Sequence, residues 1–132
     1  MITVEEYLKG RDKQYPTEFT VDLRINAQET VQKINDVLDI FGEERRITSG
    51  WRPAAVNAAT PGAAKFSKHT TCQAGDIEDD EGDLDAWCFE HPKTLEEIGL
   101  WQEHPASTKG WCHLQIVQYK SWVPGKPRWF YP

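Results

Sequence analysis

Two histidines and an aspartate are the residues whose types and spacing best fit a metal site. His69 and Asp76 are separated by a turn and the start of a predicted strand, Gln73 to Ile77, which can bring both side chains to one point. Imidazole and carboxylate groups are ligands of first-row transition metals. His113, in a second predicted strand, is the natural third ligand. Three such ligands would form a zinc site with one position open for water.

The strand that carries His113 is the clearest in the sequence. From Trp111 to Val117, successive side chains of a strand point to opposite faces. One face carries Cys112, Leu114 and Ile116, and the other carries His113, Gln115 and Val117. We therefore expect His113 to point inward, on the face of the strand opposite to Cys112.

Other patterns predict the elements that must position these residues. Apolar residues recur every three or four positions from Val21 to Phe41 and stop at Gly42, which indicates a long amphipathic helix. Thr3 and Glu6 form a capping box that begins a short first helix. The remaining expectations are a strand at Arg46–Thr48, a loop or single helical turn at Ala54–Ala64, short helices at Asp83–Phe89 and Lys93–Ile98, and a proline-rich turn at Val123–Trp129.

Composition narrows the class of protein. A chain of 132 residues predicts one domain spanning residues 1–132. A net charge of −6 argues against binding nucleic acid or an anionic membrane. No apolar run is long enough for a membrane span, and the N-terminus lacks a secretory signal, so we expect synthesis in a cytoplasm. The three cysteines lack Cys-x-x-Cys spacing and are expected to be reduced thiols.

The order of these motifs resembles a known family. The segment Ser49-Gly50-Trp51-Arg52, followed by Asn57, Ser67-x-His69, Ala74-x-Asp76 and Trp111-x-His113, is similar to the zinc D-Ala-D-Ala peptidases. This family includes bacterial D,D-carboxypeptidases, vancomycin-resistance dipeptidases and phage L-alanyl-D-glutamate endolysins. It shares its metal-site fold with the hedgehog signalling domain. The resemblance implies an α+β fold with a small antiparallel sheet and flanking helices.

The resemblance also implies roles for individual residues. His69, Asp76 and His113 would bind one zinc ion, Arg52 would contact the substrate or the developing oxyanion, and Ser67 would lie at the substrate. The implied activity is hydrolysis of peptide bonds in peptidoglycan stem peptides, by a monomer. The absence of a signal favours a phage lysis or virion-associated peptidase, located in the host cytoplasm or virion before it acts on the cell wall.

Two positions depart from the family pattern. Cys72 stands where the family usually has glycine, a mild change provided that the backbone there is not left-handed. Gly110 stands where the family usually has the acidic general base, three positions before the last histidine. Some branches take the acid from the preceding strand, which here would supply Glu103. Glu103 is thus the candidate base, although such a residue often lies in solvent at the end of a strand.

Gly110 keeps other functions open. A chain that kept the zinc ligands and lost the base would be a metal-stabilised structural or binding domain, for example of a phage particle. An amidase or dipeptidase acting on a small soluble substrate would use the same three ligands. The sequence does not separate these alternatives from the peptidase.

Overall fold

A five-stranded sheet in the order β1-β2-β4-β3-β5 forms the centre of the protein, whose 132 residues are all described by a computed structural model. The strands are β1 (Ile47–Ser49), β2 (Ala74–Asp79), β3 (Trp101–Glu103), β4 (Gly110–Gln115) and β5 (Trp129–Phe130). All neighbouring strands are antiparallel except β3 and β5, which are parallel. The predicted α+β architecture is confirmed, and β5 makes the sheet mixed.

Six α-helices surround the sheet. They are α1 (Val4–Leu8), α2 (Arg11–Gln14), α3 (Val21–Phe41), α4 (Ala54–Ala59), α5 (Asp83–Glu90) and α6 (Pro92–Ile98), and a 3₁₀ turn spans Pro105–Ser107. The long helix α3 has the predicted bounds, because Thr20 caps its first turn and Gly42 ends it in a left-handed conformation. The capping box of Thr3 and Glu6 is also present. None of the helices has the length and apolar character needed to cross a membrane.

Helix α3 packs closely on one face of the sheet. Gly75 in β2 permits this approach, since a Cβ atom there would lie 2.8 Å from Cδ1 of Ile34. The same face carries Ile77, Cys112 and Leu114, which are fully buried in the hydrophobic core. As predicted, the alternation of β4 places His113 on the opposite face.

Two segments are more regular than the sequence suggested. The stretch expected to be a loop or one turn contains the six-residue helix α4, consistent with the high helix propensity of alanine. The C-terminal segment expected to be a turn ends in β5. This short strand forms because the N–H groups of Gln102 and His104 donate to the carbonyls of Arg128 and Phe130.

Cys72 does not meet the condition set for a mild replacement of glycine. Its φ is 59°, so its backbone is left-handed, a conformation that disfavours side chains with a Cβ atom. The thiol is nevertheless fully buried, and burial raises its pKa to about 12. Cys72 therefore carries backbone strain that glycine would avoid.

Candidate metal centre

His69, Asp76 and His113 converge in a buried cluster. One potential ligand atom from each residue lies within 4.8 Å of the others. Oδ1 of Asp76 is 2.9 Å from Nδ1 of His113 and 3.3 Å from Nε2 of His69. Asp76 and His113 are directly paired residues of β2 and β4, whereas His69 comes from the loop before β2. The structure thus brings together the three predicted ligands.

A backbone carbonyl on the side of the ring away from Asp76 sets the orientation of His69. Its Nδ1 lies 2.8 Å from the carbonyl oxygen of Gly50. A carbonyl can only accept, so Nδ1 carries the proton and Nε2 is left with the lone pair that faces Asp76. His69 would therefore bind a metal through Nε2.

The ring of His113 is oriented by Gln115. Nε2 of His113 lies 2.9 Å from Oε1 of Gln115, and the amide nitrogen of Gln115 donates to the carbonyl of Val117 at 2.9 Å. That second bond fixes the amide so that its oxygen faces the imidazole and accepts from Nε2. His113 would consequently bind a metal through Nδ1, the atom that faces Asp76.

The three side chains shift one another's pKa values. Burial alone would raise the pKa of Asp76, but the neighbouring imidazoles, that of His113 foremost, hold that pKa well below its usual range. Burial alone would lower the pKa of His113, but its hydrogen bond to Asp76 raises the pKa. Burial lowers the pKa of His69 despite Asp76. The three groups therefore favour an ionised Asp76 and a neutral His69, and Asp76 makes His113 easier to protonate than an ordinary histidine.

The segment Ser49–Arg52 supports the loop that carries His69. Besides the bond from His69 to Gly50, Nε1 of Trp51 donates to the carbonyl of Thr70, and the N–H of Arg52 donates to the carbonyl of His69. A Cβ atom at Gly50 would lie 2.0 Å from the carbonyl oxygen of Tyr7, so only glycine fits there. This motif is thus a brace for a metal ligand as well as the source of Arg52.

Arg52 lies between this brace and the metal cluster. Its Nε donates to Oγ of Ser49 at 3.0 Å, and its Nη2 donates to Oδ2 of Asp76 at 3.3 Å. Nη1 makes no hydrogen bond within the chain, and burial lowers the pKa of this guanidinium, although the charge of Asp76 opposes the shift. Arg52 therefore holds the second carboxylate oxygen of Asp76 and keeps a donor free.

A cleft of about 180 Å³ opens above the cluster. Glu103 lines this cleft, and burial raises the pKa of its carboxyl group. Ser67 does not line the cleft, and its Oγ accepts from the backbone N–H of His69. The lining residues are Arg52, Thr60, Pro61, Gly62, Ala63, Ala64, His69, Asp76, Glu103, Trp111, His113 and Pro132.

Two neighbours of the cluster were missed as functional candidates in the sequence. The alternation of β4 placed Gln115 on the face of His113, and that signal could have identified it as the partner of the imidazole. Phe130, whose ring centroid is 6.1 Å from that of His113, gave no local signal because it reaches the site through the pairing of β5 with β3.

The donor set fits a divalent transition metal. Two imidazole lone pairs and one carboxylate oxygen converge, and the far side of each group is held by a hydrogen bond, as in protein sites that bind metals through histidine. The match between this chain and the family model of peptidase M15 covers residues 2–104. The chain belongs to the peptidase M15 family. No curated protein and no solved structure gives a significant match.

Membership of this zinc D-Ala-D-Ala carboxypeptidase-like family implies a metal-dependent peptidase with a peptide substrate. The matched region contains His69, Asp76, Arg52 and Glu103. It ends before His113, whose place in the cluster is given by the geometry.

Proposed function

We propose that this protein hydrolyses peptide bonds, with one zinc ion held by His69, Asp76 and His113 and with Glu103 as the general base. The observation that carries the proposal is that Glu103 lines the same cleft as the three ligands. Gly110 supplies no acid, and Glu103 offers one from a neighbouring strand. The proposed unit is a single domain that acts as a monomer.

The proposed ligands use three different atoms. Nε2 of His69, a carboxylate oxygen of Asp76 and Nδ1 of His113 would hold the ion, each with a fixed orientation. When bound, zinc polarises the scissile carbonyl and activates water for attack. Nitrogen and oxygen donors in this ratio are typical of catalytic zinc.

Glu103 supplies the proton transfer in this proposal. A carboxylate oxygen of Glu103 accepts the proton that the attacking water loses and then delivers it to the nitrogen of the leaving amine. The raised pKa of Glu103 suits a group that must both take and return a proton. Such groups typically contribute about 10²–10⁴ in rate.

Arg52 supplies charge stabilisation. Its free Nη1 donates to the oxygen that becomes negative as the carbonyl carbon turns tetrahedral. The bonds from Nε to Ser49 and from Nη2 to Asp76 hold the guanidinium in place before substrate arrives. Ser67, by contrast, would act on substrate through the loop it stabilises, because its hydroxyl is engaged with His69.

The proposed substrate is the stem peptide of peptidoglycan, and the proposed setting is phage lysis or a virion-associated step. The motif resemblance of Ser49–Arg52 and of the three ligands supports this choice. The cleft also suits a peptide, since one wall is formed by the small residues from Pro61 to Ala64.

Digestion of purified peptidoglycan with zinc-loaded protein, followed by mass analysis of the released fragments, tests the proposal. We expect cleaved stem peptides from the wild type, at least a 100-fold lower rate from Glu103→Gln, and full zinc content in both. Glu97→Gln is the matched control, because Glu97 is exposed on α6 and should leave the rate unchanged.

Gly110 favours a second candidate, a zinc-stabilised binding domain without activity. Glycine has no side chain, so this position contributes no acid to the cleft. Zinc binding without cleavage of peptidoglycan or of soluble dipeptides would establish this alternative. Cleavage of soluble dipeptides alone would indicate a dipeptidase instead.

A further inference from the structure

The buried carboxylate of Asp85 lies behind the sheet, on the opposite side from the cleft. Asp85 belongs to α5 and is 2% exposed. Its Oδ1 accepts from Nε2 of Gln102 at 2.6 Å, and its Oδ2 accepts a short hydrogen bond from the hydroxyl of Thr108. Burial raises its pKa, while hydrogen bonds from Thr108, Gln102 and the thiol of Cys112 oppose that rise. Asp85 forms no salt bridge, so the hydrogen bonds from Gln102 and Thr108 hold its carboxylate.

These donors flank the connection that joins the proposed base to a metal ligand. Gln102 immediately precedes Glu103, and Thr108 follows the 3₁₀ turn that leads into β4 and His113. Side chains alternate along a strand, so Gln102 points to Asp85 while Glu103 points to the cleft. Asp85 therefore links Gln102, before the β3–β4 connection, to Thr108, near its end, from the face of the sheet opposite to the cleft.

Strand pairing alone does not set the position of Glu103 relative to His113. The pairing of β3 with β4 includes Trp101 with Gln115 and Gln102 with Leu114, and it stops before Glu103. On its other side Glu103 is paired with Phe130 of β5, a strand of two residues. The distance from Glu103 to the metal cluster thus depends on how the β3–β4 connection is anchored.

We propose that Asp85 is a positioning residue for Glu103, because it ties Gln102 to Thr108 and so holds the β3–β4 connection at a fixed distance from His113. This inference rests on the proposed function of Glu103 as the base. Asp85 does not line the cleft and is not one of the proposed ligands, so we assign its effect on Glu103 to the bonds with Gln102 and Thr108.

Three variants separate positioning from general stability. Asp85→Leu removes both side-chain acceptors and leaves Gln102 only its 2.8 Å bond to the backbone carbonyl of residue 85, and Thr108→Val removes one donor with little change of shape. Asp85→Asn is the conservative variant, since its amide oxygen can accept from Gln102 and its amide nitrogen can donate to the Thr108 hydroxyl. Asn35→Leu is the matched control, because it also loses two hydrogen bonds, both to the backbone of Ile2.

We expect Asp85→Leu and Thr108→Val to lower kcat by about 10- to 100-fold with KM changed less than about twofold, since a small misplacement of a catalytic group has an effect of this size. Asp85→Asn should recover most of kcat. Asn35→Leu should lower thermal stability and keep kcat, and all variants should keep their zinc. A wild-type kcat in both Asp85→Leu and Thr108→Val, or a loss of zinc in both, would overturn the positioning role.

Backbone amide resonances test the anchoring by Asp85 independently of any peptidase activity. Backbone amide resonances of Glu103, His104 and His113 should be sharp in the wild type and broadened or doubled in Asp85→Leu and Thr108→Val, with residues of α3 unaffected. If the wild type is inactive and these changes occur, the anchoring by Asp85 stands and the peptidase proposal fails. Unchanged amide resonances in both variants would overturn the anchoring itself.

Discussion

Asp76 and His113 occupy directly opposed positions in the β2–β4 ladder, and their side chains meet with Oδ1 2.9 Å from Nδ1. A regular antiparallel pairing therefore supplies two of the three proposed metal ligands. Cross-strand partners on one face have Cβ atoms about 5 Å apart, which is a suitable span for one ion between two short polar side chains. His69 reaches the same point from the braced loop before β2.

Removal of one histidine ligand should abolish stable zinc binding. We expect His69→Ala to retain less than about a tenth of the wild-type zinc and to lose thermal stabilisation by zinc, which would amount to about 2.7 kcal/mol at 100 times the dissociation constant. Elemental analysis and thermal melts measure both quantities. His91→Ala is the control, because His91 stacks on Trp87 away from the cluster. Equal zinc in both variants would contradict the ligand assignment.

Gln115 should matter to the metal without touching it. In Gln115→Leu, Nε2 of His113 loses its acceptor, so the tautomer that frees Nδ1 is no longer favoured. We expect zinc affinity to fall about 10- to 100-fold, the usual effect of losing such a partner. Competition with a chelator measures the affinity, and Gln118→Leu is the control because Gln118 is exposed. Unchanged affinity in Gln115→Leu would mean that the amide does not set the ring.

Zinc affinity should fall as the pH is lowered. A proton and the metal compete for Nδ1 of His113, whose pKa is raised by Asp76, so competition begins above the ordinary histidine pKa of about 6.5. His69 has a lowered pKa and competes only at lower pH, and Asp76 stays ionised throughout. Chelator competition at pH 8, 7 and 6 should show the weakest binding at pH 6. Constant affinity across this range would exclude His113 as a ligand.

Arg52 should affect turnover more than metal content. Arg52→Ala removes the free Nη1 donor, and we expect turnover to fall by about 10²–10³, equivalent to about 3–4 kcal/mol of barrier. Zinc content should remain, since all three ligands are intact. Arg52→Lys should recover activity only partly, because an ammonium does not reproduce the guanidinium fork that joins Ser49 and Asp76. Arg46→Ala, at an exposed pair with Glu78, should leave the rate unchanged.

Because the backbone at Cys72 is left-handed, glycine should give a more stable protein than alanine at this position, the reverse of the usual order. Both Cys72→Ala and Cys72→Gly lose the buried thiol, but only glycine relieves the strain of a Cβ atom at φ 59°. We expect the glycine variant to be more stable by about 1–2 kcal/mol. Chemical denaturation measures the difference. The same pair of changes at Cys88, inside α5, should give the normal order with alanine more stable.

Much of the fold follows from local signals in the sequence. Helix α3 was predicted with its observed ends, because the apolar periodicity and Gly42 both act within the helix itself. The face of His113 was also predicted, since alternation in β4 is a local property. Strand β5 could not be predicted, because its two residues have no pattern of their own and become a strand only through bonds to β3.

Some features of the candidate site could likewise be predicted from the sequence, and others could not. The motif order predicted the three ligand candidates, and the structure brings them together. The bracing role of Ser49–Arg52 and the anchoring contacts of Asp85 depend on residues that meet only after folding. Residue types alone could not indicate these contacts, because a buried aspartate and a glycine carbonyl have no signature in sequence.

The alternation of β2 also bears on how the chain avoids misfolding. Asp76 faces the polar cluster, and its neighbour Ile77 is fully buried on the other side. If β2 slipped by one residue against β4, Ile77 would enter the polar cluster and Asp76 would become an unpaired charge in the core. Such a slip is strongly unfavourable even before any metal binds. The carboxylate proposed to hold the ion thus also disfavours misaligned pairing of β2 with β4 while the sheet assembles.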